Sequence, residues 1–212
     1  MTTRFVSIRF ASILKPVVFF LILMPGIVLV WQVYLAANGQ SNALGADPGK
    51  SVVQFNGDWA LRSLLLTLAV TPLRQMTGWA ELARIRRMLG LFAFFYATLH
   101  FIAYLALMLE FRFDDLGAEI VQRPYMLVGF LALCCLVPLA LTSNQWMIRR
   151  LKQRWRRLHQ WVYVIAVLQI AHVLWLTRSD YTEPLLYSAV LAVLMGYRVL
   201  KYSQRQAATR RS

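Results

Sequence analysis

The chain has 212 residues, 59% hydrophobic and only 15% charged, with a mean hydropathy of +0.53. A soluble domain carries about 45–50% apolar and about 25% charged residues, so this chain holds more apolar material than one small water-soluble core can hide. The net charge of +14 sits in short basic runs between apolar stretches, a topology pattern and not a nucleic-acid surface. Ten glycines, seven prolines and two cysteines exclude collagen-like and disulfide-scaffold classes. The class that remains is an all-α integral membrane protein.

A hydrocarbon core of about 30 Å needs about 20 helical residues. Six spans are predicted, at 16–35, 59–73, 88–109, 124–141, 158–176 and 184–200, forming one six-helix transmembrane domain over 1–212. The first, Pro16–Leu35, is longer than the apolar part of a signal peptide and no small-residue cleavage site follows, so it reads as a retained anchor. The second, Trp59–Leu73, is short. Pro16, Pro124 and Pro184 lie where a helix start tolerates proline. No linker or internal repeat divides the chain, and the stretch after Leu200 is too short for a fused flavin or nicotinamide domain.

Orientation follows from the basic residues. Arg4, Arg9 and Lys15 precede span one; Arg74, Arg84, Arg86 and Arg87 lie between two and three; the Arg149–Arg157 cluster lies between four and five; Arg198, Lys201, Arg205, Arg210 and Arg211 end the chain. The other side holds Lys50, Arg112, Arg123 and Arg178. Both termini are therefore expected in the cytoplasm. The Arg149–Arg157 cluster also suits acidic membrane lipid.

The chain has three histidines. His100 lies roughly 18 Å above the start of span three, and His172 roughly 21 Å above the start of span five. Two neutral imidazoles at matched depth on separate helices suit the two axial positions of a b-type haem iron. Zinc needs four ligands, and no third partner is evident at this depth. Ala93, Ala97 and Ala103 lie near the His100 face and leave room for a porphyrin edge or for close helix packing. His159 lies at the cytoplasmic end of span five. It suits a second haem with an unusual partner, a quinone site, or an interfacial role without a cofactor. Arg62, in span two, either pairs with a haem propionate or snorkels to the interface. Cys134 and Cys135 read as packing residues.

The run from Gly57-Asp-Trp-Ala-Leu-Arg62 to Thr71-Pro-Leu-Arg74, with Arg86-Arg-Met-Leu-Gly90 leading to His100, resembles the MsrQ (YedZ) family of haem-binding membrane subunits. So do Arg123-Pro-Tyr125, Pro138-Leu-Ala-Leu-Thr-Ser143 and Trp155-Arg-Arg-Leu-His159 leading to His172. The resemblance covers about Gly57–Trp175. It implies a ferric-reductase-like fold in the bacterial inner membrane. It also implies passage of electrons from respiratory quinol, through haem b, to a periplasmic molybdopterin-containing MsrP-like partner in a heterodimer. That partner reduces methionine sulfoxide in proteins. FMN is implied by resemblance alone, and His100, His159 and His172 match the family's histidines by motif. Ferric reductases and NADPH oxidases carry two histidine pairs; here the fourth position falls near Arg86 and Arg87.

Two rival functions stay open on the residues: a non-redox transporter using the histidines as a proton relay, and a passive membrane anchor. Both predict a colourless protein. The acidic loop residues Asp114, Asp115 and Glu119 are expected to face the periplasm, where they would help dock an electron acceptor.

Overall fold

A computed structural model describes the backbone of residues 2–209 and the side chains of residues 13–204, 206 and 207. Arg4, Arg9, Arg205, Arg210 and Arg211, used above for orientation, lie outside those side chains. Nine α-helices are described: α1 (Thr2–Ala37), α2 (Pro48–Thr77), α3 (Leu82–Ala103), α4 (Phe113–Gln122), α5 (Pro124–Leu141), α6 (Gln145–Leu151), α7 (Gln153–Leu158), α8 (Trp161–Leu176) and α9 (Thr182–Thr209). A π-helical turn, Tyr104–Met108, extends α3.

Among the described residues, five segments are long and apolar enough to cross a membrane: Ile13–Ala37, Leu82–Met108, Pro124–Leu141, Gln153–Leu176 and Thr182–Gln204. The second expected span lies inside α2, which is not among the five. That helix is far longer than the expected Trp59–Leu73, and its 30 residues reach about 45 Å. Lys50, Gln54, Asp58 and Arg62 dilute its first half, which hid its length in the hydropathy. Such polarity is tolerable because α2 packs on α3 and also touches α1, α8 and α9, so protein rather than lipid surrounds much of it. Asp47 caps its start by accepting from Lys50 N–H at 2.9 Å, Pro48 takes the first turn, and Gly78 closes it in the left-handed region.

Two further expectations are corrected. Pro16 lies inside α1 and not at a helix start. The helix predicted from Leu158 is broken at His159–Gln160, so α7 and α8 are separate helices. At the other end of the bundle, Arg123 has the extended conformation usual before a proline, and Pro124 opens α5.

The core is apolar and tightly enclosed around α2, α3 and α8. Leu68, Tyr96, Ile165 and Ala166 are fully buried. Tyr96 reaches across to α1, donating from its hydroxyl to Ile22 O at 2.6 Å. Arg198 of α9 donates from Nη2 to Leu68 O at 2.8 Å and also bonds Tyr163. Large apolar side chains cover the outside as well: Phe20, Val30, Leu185 and Val193 are all more than half exposed. A bundle apolar on both its inside and its outside is built for lipid.

Candidate haem site

α2 and α3 run antiparallel, and so do α5 and α8. Both pairs place a histidine near the C-terminal end of the second helix against the N-terminal half of the first. His100 Nδ1 lies 2.8 Å from Val53 O on α2. His172 Nδ1 lies 2.6 Å from Tyr125 O on α5. A ring nitrogen beside a carbonyl oxygen must carry the proton, so in both histidines Nδ1 is the donor and Nε2 has the free lone pair. Among the described hydrogen bonds, neither Nε2 has a partner.

The two rings face each other with centroids 6.2 Å apart and planes at 87°. A first-row metal–imidazole bond is about 2.0 Å, and an imidazole nitrogen lies about 1.2 Å from its ring centre. Two rings sharing one metal between them therefore have centroids about 6.4 Å apart. The observed separation fits.

Both histidines line a cavity of about 770 Å³ between the helix pairs, within the usual size range for a cofactor pocket. Its walls are mainly apolar, with Val53, Leu61, Phe101, Phe130 and Leu133 among them, and Gly57, Ala60, Ala97, Gly129 and Ala132 leave it open. Lys50, Arg178 and Asp180 also line it, from helix ends and the α8–α9 loop. Gln169, one turn below His172, lines the wall with its buried Oε1 lacking a protein partner. Two imidazole rings with centroids 6.2 Å apart, each with Nδ1 committed to a backbone carbonyl, in a mainly apolar cavity fit a haem. Among the described residues, no cluster of three or more His, Cys, Asp or Glu side chains offers a site for another metal.

Of the alanines expected near the porphyrin, Ala97 lines the cavity. Ala93 is fully buried in the core, and neither it nor Ala103 is on the cavity wall. Arg62 is also off the wall. Its Nε donates to Tyr187 Oη at 2.7 Å, and its Nη2 lies 3.5 Å from Glu183 Oε1. The α9 start thus occupies the guanidinium that sequence reasoning offered to a propionate. His159 stays apart from the pair, at the α7–α8 turn. It stacks on Trp155 at 3.9 Å, Nδ1 lies 3.1 Å from Trp155 O, and Nε2 lies 3.4 Å from Ser143 Oγ. Cys134 and Cys135 are both free thiols.

A polar chain runs from two residues of the cavity wall, Tyr104 and Tyr125, to Glu119 and Arg123 beside it. Tyr104 donates to Glu119 Oε2 at 3.2 Å, and Arg123 Nε lies 3.0 Å from the same oxygen. Arg123 Nη1 also donates to Tyr125 Oη at 3.3 Å, and this bond, with the nearby Glu119, holds the guanidinium pKa above its ordinary value. Tyr125 in turn supplies the carbonyl that fixes His172. The sequence signal missed here was glycine inside helices, at Gly57 and Gly129, where the residue is disfavoured without a packing reason.

Residues 56–170 match the family described as ferric reductase like transmembrane component. The chain is 52% identical over 191 residues to a protein-methionine-sulfoxide reductase heme-binding subunit MsrQ of Xanthomonas axonopodis pv. citri, covering 90% of this chain and 88% of that one. The protein of the same name from Xanthomonas campestris pv. campestris strain 8004 is 51% identical with the same coverage. The one from Brucella ovis is 45% identical, covering 81% of this chain and 76% of its own.

Proposed function

The chain belongs to the MsrQ heme-binding subunits of the ferric reductase-like transmembrane family, and from that membership we propose that it is a b-type cytochrome carrying electrons across the membrane. His100 and His172 hold the iron through Nε2. The observation that carries this reading is their 6.2 Å ring separation with both Nδ1 atoms committed to backbone carbonyls. When bound, haem supplies a one-electron relay between a donor and an acceptor.

The protein's own part is to fix both ligands on rigid helices and to keep the slot apolar. α2 is the sixth span, completing the bundle. Basic residues cluster at the end opposite the cavity, which supports cytoplasmic termini and a cavity near the periplasmic face of the bacterial inner membrane. Respiratory quinol is the electron source. The acceptor is a periplasmic molybdopterin-containing MsrP-like subunit, which reduces methionine sulfoxide at its own site. His159, stacked at the far end, is the candidate ligand for a second haem, and FMN rests on family membership alone.

The test is the purified protein's absorption spectrum. A Soret band that shifts on dithionite reduction, and that is lost in His100→Ala and His172→Ala, is the expected result. A colourless protein, or an unchanged reduced spectrum in both variants, overturns the reading.

A further inference from the structure

Two helical glycines sit where any side chain would strike one of the two facing histidines. A Cβ on Gly57 would stand 3.0 Å from His100 Nδ1, and a Cβ on Gly129 would stand 2.7 Å from His172 Nδ1. Neither distance is ordinary van der Waals contact, and the second is one that real Cβ atoms essentially never show. Each glycine lies one turn beyond the carbonyl that its histidine bonds, Val53 O at 2.8 Å and Tyr125 O at 2.6 Å. In both helix pairs the histidine follows its acceptor by the same 47 residues.

The backbone explains the pairing. The carbonyl of a helical residue points along the axis toward the residue four further on, and that residue's Cβ leans back over the same turn. A donor arriving from a neighbouring helix must cross the place of this Cβ to reach the carbonyl. Glycine clears the place. Gly26 shows the rule where no histidine is involved: its Cβ would stand 3.2 Å from Tyr96 Oη, which donates to Ile22 O one turn earlier.

We propose that Gly57 and Gly129 are positioning residues for the axial ligands, each opening a helix carbonyl to an imidazole Nδ1–H so that Nε2 is presented to the iron. This rests on the haem reading above. The bond fixes the tautomer and the ring plane, and it raises the basicity of the ligating nitrogen. Two seats on two different helices set the two planes independently, in keeping with their 87° angle.

The test uses the full-length holoprotein with Gly57→Ala and Gly129→Ala, read by haem transfer to apomyoglobin, by carbon monoxide binding and by midpoint potential. Each variant is expected to lose haem about 10- to 100-fold more readily, as removal of an outer-shell partner does. Each is also expected to gain carbon monoxide binding and a changed potential. Gly117→Ala and Gly196→Ala, which meet open space, are expected to match wild type in all three readouts. Gly26→Ala is expected to lower thermal stability and leave the spectrum and potential alone. Wild-type retention, spectrum and potential in both Gly57→Ala and Gly129→Ala overturn the proposal while leaving the haem reading standing. A wild-type protein without haem overturns both.

If either variant fails to accumulate, electron–nuclear double resonance on oxidised wild-type protein decides. Remote imidazole N–H protons that survive transfer to D2O support the seats, and their complete loss within the transfer time overturns them.

Discussion

His100 and His172 come from helices far apart in sequence, yet their rings lie 6.2 Å apart at 87°. Neither points there freely. Each is held through Nδ1 by a carbonyl of the helix it packs against, and both rings line one cavity. Such preorganisation lets a ligand pair take up an iron without first ordering two side chains.

Arg62 is expected to matter for assembly and not for the spectrum. Replacing it with Leu removes the Tyr187 hydrogen bond that ties α2 to α9. The loss costs about 1 kcal/mol, and Tyr187→Phe costs a similar amount. Thermal unfolding in detergent checks both. A shifted Soret band in Arg62→Leu would instead place the guanidinium against the haem.

Tyr96 is expected to behave as a structural pin. Tyr96→Phe leaves Ile22 O without its side-chain donor and loosens α1 from α3, costing about 1 kcal/mol. The lower melting temperature should come with an unaltered haem spectrum, which simultaneous absorbance and melting measurements would reveal.

His159→Ala is expected to leave the low-spin signal of the His100–His172 pair intact, because His159 belongs to a separate turn and stacks on Trp155. Electron paramagnetic resonance of the variant, with haem counted per protein, reads both the pair and any second haem. Loss of the pair's signal would contradict the separation of the two sites.

The sequence made the main architecture legible wherever lipid faces a helix. The apolar runs at 16–35, 88–109, 124–141, 158–176 and 184–200 mark the helices that the bilayer selects for hydropathy. The expected span at 59–73 fell inside α2, but the helix's full length escaped because Lys50, Gln54, Asp58 and Arg62 lower the hydropathy of its first half. Helix rise put His100 and His172 at matching heights on their helices, and their rings lie 6.2 Å apart. The partner of Arg62 was not readable, since Tyr187 lies 125 residues away. The likeness of the two histidine-bearing helix pairs was also hidden. Few identities line up between them, among them Gly57 with Gly129, Ala60 with Ala132, Leu64 with Leu136 and His100 with His172. The shared feature is a seat built from one missing Cβ and one carbonyl, and sequence similarity barely registers it.

Charge at α4 is expected to tune delivery to the acceptor. Asp114 and Asp115 lie in its exposed first turn. Reversal of both to Lys should slow reduction of the catalytic partner at low ionic strength, with the difference shrinking as salt rises. Stopped-flow mixing of the reduced protein with its partner measures this, and a rate equal to wild type at low salt removes α4 as the docking element.

Whether one iron is shared by His100 and His172 is tested most directly by a double-mutant cycle. Low-temperature electron paramagnetic resonance is recorded on oxidised His100→Ala, His172→Ala and the double variant. A shared iron predicts that each single variant loses the same low-spin signal and that the double variant loses nothing more. Two distinct signals, each lost with its own histidine and summing in the double variant, would contradict it.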